Sequence, residues 1–187
     1  MHIFVALLLF FGPPFWEAKQ PSQWSDAEIS QILTSSPWTQ TATPEPLVKL
    51  FLATARPIED AEAELRLRGS KDYAEPDPEF AEYVSRNRDS QVVLAIDYRK
   101  VRPDWPEGSE RQMQDESMML VGRRKHRMTG YFPPTPADPV LRISFPRDVT
   151  LSDRRVLFRL YLPGITFPER DVEFNVKDLV YRGKLEM

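Results

Sequence analysis

Through the last third of the chain, apolar and polar residues alternate with a period of two. In "VLRISF", Leu141, Ile143 and Phe145 alternate with Arg142 and Ser144. In "RVLFRLYL", Val156, Phe158, Leu160 and Leu162 share one face, and Arg155, Arg159 and Tyr161 the other. Val172, Phe174 and Val176 repeat the pattern in "DVEFNV". Leu179, Tyr181 and Leu185 continue it in "LVYRGKLEM", where Gly183 reads as a bulge. Successive strand side chains point to opposite faces, so each segment predicts a strand with one apolar and one wet face. Short spacing and turns such as "PG" point to antiparallel pairing, in a β-sandwich or an open curled sheet.

Upstream the period lengthens to that of helices. In "QWSDAEISQILTSSPW", Ser25 and Glu28 fit a capping box, and Trp24 and Ile29 have the spacing of a hydrophobic staple. Ile29, Ile32 and Leu33 form one stripe, and Pro37 ends the helix. "PIEDAEAELRLRG" predicts a second helix with acids in its first turns, Arg66 and Arg68 in its last, and Gly69 as its C-terminal cap. "PDPEFAEYVSRN" predicts a third, capped by Asp77 and burying Phe80, Tyr83 and Val84. Ser109 to Val121 reads as a helix ended by Gly122. "LVKLFLATA", from Leu47, leans to a strand, and the apolar run of "QVVLAIDYR" predicts a strand covered on both faces. The expected fold class is α+β: several short N-terminal and mid-chain helices packed on the antiparallel sheet.

The first residues obey neither period. "MHIFVALLLFFG" is apolar from Ile3 to Phe11 and ends at Pro13 and Pro14. That run is too short for a bilayer core of about 30 Å and matches the apolar region of a signal peptide. Residues 1–18 are therefore expected to be a signal peptide, and 19–187 a single α+β domain without a transmembrane helix. The run lacks an early Lys or Arg, and Trp16 stands where a cleavage site wants a small residue. A buried strand or helix of the mature domain is the other reading.

Composition narrows the chemistry. The chain has no cysteine and two histidines, His2 and His126, which excludes disulfides, thiolate chemistry and a multi-histidine metal site. Eighteen prolines against seven glycines suit rigid connections between short elements. A net charge of −3 and a pI near 5.5 exclude the global positive field of a nucleic-acid binder. No nucleophile elbow, phosphate loop, dinucleotide fingerprint or zinc-protease motif occurs, so no cofactor or metal is expected.

Three features remain as candidate sites. Asp97, at the end of "LAIDYR", is a carboxylate beside a doubly covered strand and the one weak catalytic candidate. Trp105 in "RPDWPEG" is a ring held between prolines, suited to stacking on sugars or anchoring a partner. Arg123, Arg124 and Arg127 in "GRRKHR" could hold a phosphate or an anionic polymer. The acids of "EDAEAE" read as a solvated helix face.

The export-like start, "SPW" at Ser36 to Trp38, "ATARP" from Ala53, and the terminal "KDLVYRGKLEM" together resemble an uncharacterised family of bacterial exported proteins. The resemblance implies a periplasmic or secreted location and a single α+β unit, and it carries over no catalytic residue. The expected function is an exported, non-catalytic binding or structural module of the cell envelope, whose partner is another protein or an envelope polymer. The alternative is a carboxylate-based hydrolase acting on glycans, with Asp97 as an acid and Trp105 as a sugar platform.

Overall fold

The computed structural model describes residues 13–70, 77–101 and 106–187. In chain order its elements are helices α1 (Phe15–Ala18) and α2 (Asp26–Ser35), strands β1 (Thr39–Ala42) and β2 (Val48–Leu52), and helices α3 (Arg56–Leu67) and α4 (Pro78–Asn87). Strand β3 (Gln91–Asp97), helix α5 (Ser109–Glu116), and strands β4 (Met118–Val121), β5 (Arg124–Arg127), β6 (Gly130–Phe132) and β7 (Val140–Pro146) follow. The chain closes with β8 (Arg155–Tyr161), β9 (Glu169–Asn175), β10 (Val180–Tyr181) and β11 (Lys184–Leu185). The fold class is α+β, and every strand pair is antiparallel.

One sheet runs β1-β2-β3-β7-β6 and a second runs β5-β4-β8-β9, while β10 and β11 form a separate hairpin. The sheets do not close into a barrel. They share a core in which Phe145 of β7 meets Phe158 of β8 edge-on at 5.3 Å, and Phe158 meets Phe174 of β9 at 5.9 Å. All three rings are fully buried. Burying each contributes roughly 1.5–3 kcal/mol, which makes this stack a main tie between the sheets.

Strands β8 and β9 keep the predicted alternation, with one face buried and one wet. Strand β7 does not: Val140, Arg142 and Ser144, on the face expected to be wet, are buried too. Helix α4 covers that face, setting Phe80 and Val84 against Val93, Ala95 and Val140. Arg142 is tolerated there because its guanidinium pairs with Asp138 at 2.7 Å and lies 4.5 Å from the centre of the Phe80 ring.

The expected capping box is present: Ser25 Oγ accepts from Glu28 N at 3.2 Å, and Glu28 Oε2 accepts from Ser25 N at 2.8 Å. Two expectations are corrected. The helix from Ser109 stops at Glu116, and Met118 to Val121 is strand β4, paired on one side with β5 and on the other with β8. Gly183 is not a bulge. With Arg182 it forms the two-residue turn of the β10–β11 hairpin, at φ +49° and +76°, the left-handed pair that a type I′ turn requires.

Candidate functional site

The C-terminal hairpin stands against the N-terminal end of α3 and walls a groove of about 660 Å³. Local sequence explains each wall. The Arg182–Gly183 turn fixes the hairpin, and Pro57 starts α3 at a position where a missing N–H costs nothing. The groove carries five cationic side chains: Arg56, Arg88, Arg147, Arg182 and Lys184. Against them stand three carboxylates, those of Asp60, Asp89 and Glu186.

Most of these charges are held in place. Arg147 donates to the backbone carbonyls of Leu185 at 2.8 Å, Met187 at 3.1 Å and Arg88 at 3.4 Å, fastening the terminal strand along the groove. Arg182 donates to the Lys19 carbonyl at 2.9 Å and to Gln20 Oε1 at 3.2 Å, and its guanidinium lies 4.9 Å from the Tyr181 ring centre. Arg88 pairs with Glu59, and Arg56 with Asp60 at 2.8 Å. Glu186 accepts from the Arg56 N–H at 3.2 Å, placing a carboxylate at the positive end of α3. Lys184 is exposed and has no carboxylate partner among the described residues.

Beneath the groove, the Tyr181 hydroxyl donates to Asp60 Oδ2 at 3.4 Å. Burial raises the Asp60 carboxyl above the usual range against the pull of Arg56. Burial and the neighbouring Asp60 push the Tyr181 phenol up to about 12. The phenol is therefore a fixed donor, not an acid at work.

Three stretches singled out in the sequence meet at this groove. Trp38 of "SPW" is fully buried, meets Tyr181 edge-on at 6.2 Å, and donates its indole N–H to the Glu186 carbonyl at 3.0 Å. "ATARP" supplies Arg56, and the terminal motif supplies Tyr181, Arg182, Lys184 and Glu186. Sequence reasoning missed the groove itself. Arg56, Arg182 and Lys184 lay inside flagged motifs, whereas no local pattern points to Arg88 or Arg147.

The residues singled out from sequence lie elsewhere. Asp97 lines a smaller cavity of about 280 Å³ between the end of α2, β1, β2 and the end of β3. Both its oxygens are taken by Arg99, whose Nε stands at 2.9 and 3.0 Å and whose Nη2 stands at 2.7 Å. The Arg99 backbone N–H adds a further bond at 2.9 Å. Trp105 lies outside the described residues. Arg123 and Arg127 are exposed on the β4–β5 hairpin, while Arg124 pairs with Asp148 at 2.7 Å and Asp153 at 2.6 Å. His126 Nε2 sits 3.2 Å from the same Asp148.

Glu62, assigned from sequence to a solvated face, is corrected: it lines the Asp97 cavity with only 24% of its side chain exposed. Its cation partner, Arg66, stands at the long distance of 4.0 Å. Burial therefore outweighs the attraction of Arg142 and Arg66, and the carboxyl is pushed up to about 7.

The described residues include no helix long and apolar enough to cross a membrane and no group of three potential metal-ligating side chains. No protein-family model matches the chain, and it has no match among the curated proteins or the solved structures.

Proposed function

We propose that this chain is an exported, non-catalytic binding module of the bacterial envelope, and that its groove takes an acidic, extended segment of another envelope protein. One observation carries the reading: the protein's own terminal strand, which walls the groove, is held there by contacts of the kind an extended acidic segment would use. Its backbone carbonyls are read by Arg147 and its Glu186 carboxylate by the first turn of α3. The excess of guanidinium and ammonium groups along the rest of the groove suits a second acidic strand alongside, since arginine pairs well with carboxylates. The closed Asp97–Arg99 pair leaves that carboxylate no free oxygen to act as a base, which supports binding over hydrolysis.

The test uses crosslinking in the envelope fraction of cells producing the tagged chain or its Lys184→Glu/Arg182→Glu variant. A discrete protein adduct that salt suppresses and the variant loses supports the reading. An adduct indifferent to both, a polysaccharide in place of a protein, or a full-length chain confined to the cytoplasm overturns it.

A further inference from the structure

The Asp97 cavity is separate from the groove and has a chemistry of its own. Its volume of about 280 Å³ is at the small end for ligand sites and suits one ring-sized molecule. Glu62 from α3 and Phe51 from β2 line it, as do Gln40, Lys49 and Lys100. Among the described residues neither lysine has a carboxylate partner. Arg99 is committed to Asp97, so that pair acts as a fixed wall while the lysines remain available to a ligand. Phe51 is only partly buried and supplies an apolar surface.

The structure assigns, we infer, a second binding site to this cavity, one that takes a single acidic sugar unit, a hexuronate. Lys49 and Lys100 face the ligand carboxylate. Gln40 and the Thr34 oxygen, whose own proton goes to the Ser30 carbonyl at 2.7 Å, are left to pair with ring hydroxyls. Phe51 offers a face to the ring carbons. The Glu62 carboxyl, when protonated, donates to the ligand carboxylate, and when ionised it repels it.

Every charged group facing Glu62 enters that balance. Arg66 and Glu59 from its own helix and Arg142 and Asp138 from β7 and the turn before it act on the carboxyl, and Lys49 of β2 with Asp97, Arg99 and Lys100 at the end of β3 line the same cavity. Burial already holds the Glu62 proton against this mixed field to about pH 7. Affinity for the anion is therefore greatest in mild acid and falls as pH rises through neutrality.

Ligand-observed NMR titration of the full chain with galacturonate, galactose and acetate at acidic and alkaline pH tests the site. Saturable galacturonate binding in mild acid is expected, with galactose and acetate each at least about tenfold weaker and with at least about a tenfold loss on the alkaline side. Glu62→Gln keeps the binding and abolishes the pH dependence. Lys49→Ala weakens binding about tenfold at either pH. Galactose binding as well as galacturonate, acetate binding as well as the sugar acid, or no saturable binding by a folded wild-type chain overturns the inference. So does a Glu62→Gln protein that retains the wild-type pH profile.

Discussion

The indole N–H of Trp38 donates to the backbone carbonyl of Glu186 at 3.0 Å, joining positions 148 residues apart. The ring is fully buried, with Trp16 edge-on at 5.9 Å and Tyr181 at 6.2 Å. Trp38→Phe keeps an aromatic surface and leaves the carbonyl unpaired, so a loss of about 1–2 kcal/mol is expected. Trp38→Ala empties the site and is expected to cost about 3–5 kcal/mol. Urea unfolding of the two variants measures the difference, and a Trp38→Phe protein as stable as wild type would show that the hydrogen bond contributes nothing.

Glu62 predicts a pH dependence of stability. Its folded carboxyl is raised from 4.5 to about 7, so the folded state holds the proton more tightly than the unfolded chain. The stabilisation is complete below about pH 4.5 and is lost as pH rises through 7. Glu62→Gln is expected to be more stable than wild type above neutrality by roughly 1–3 kcal/mol and to flatten the fall in stability between about pH 4.5 and 7. Thermal unfolding from pH 4 to pH 9 measures it, and parallel profiles would contradict it.

Arg170 is 2% exposed and donates to the carbonyls of Glu169, Thr166 and Pro44 at 2.9, 3.1 and 3.3 Å. It fastens the loop before β9 to the loop between β1 and β2. Arg170→Ala strands those carbonyls and is expected to cost about 2–4 kcal/mol, whereas Arg170→Lys is expected to cost about half as much. Chemical denaturation ranks them, and an Arg170→Ala protein as stable as wild type would refute the role.

Arg124 separates the basic run into two kinds of residue. Arg124→Ala breaks the pairs with Asp148 and Asp153, and because these are partly exposed the loss is expected to stay below about 1 kcal/mol and to shrink in salt. Arg123→Ala and Arg127→Ala are expected to fall within about 0.5 kcal/mol of wild type. A large loss at either exposed arginine would reveal a contact the hairpin does not display.

How much of this could be read from the residues alone follows the range of the forces. The capping box of Ser25 and Glu28, the Asp77 cap of α4 and the alternation in β8 and β9 are local, and each was legible. The failure at Met118 is tertiary: Leu120 and Val121 lie at helical spacing from Met113, but pairing with Leu157 and Val156 recruits them to a sheet. Arg142 looked solvent-facing because α4, which covers it, is some 60 residues away in sequence and leaves no trace in the β7 pattern. The groove failed for the same reason. Its five cations come from four separate segments, and only assembly makes those segments neighbours.

Trp16, Glu17 and Gln20 near one end of the chain grip Trp38 and Arg182, and Glu186 near the other end completes both the Trp38 bond and the first turn of α3. These contacts join residues far apart in sequence, so residues 16–20 cannot reach their final partners before residues 182–186 are present. Folding therefore cannot finish on the ribosome while residues 180–187 are still being synthesised. The groove, one wall of which residues 181–186 supply, therefore takes shape only once those residues have been made.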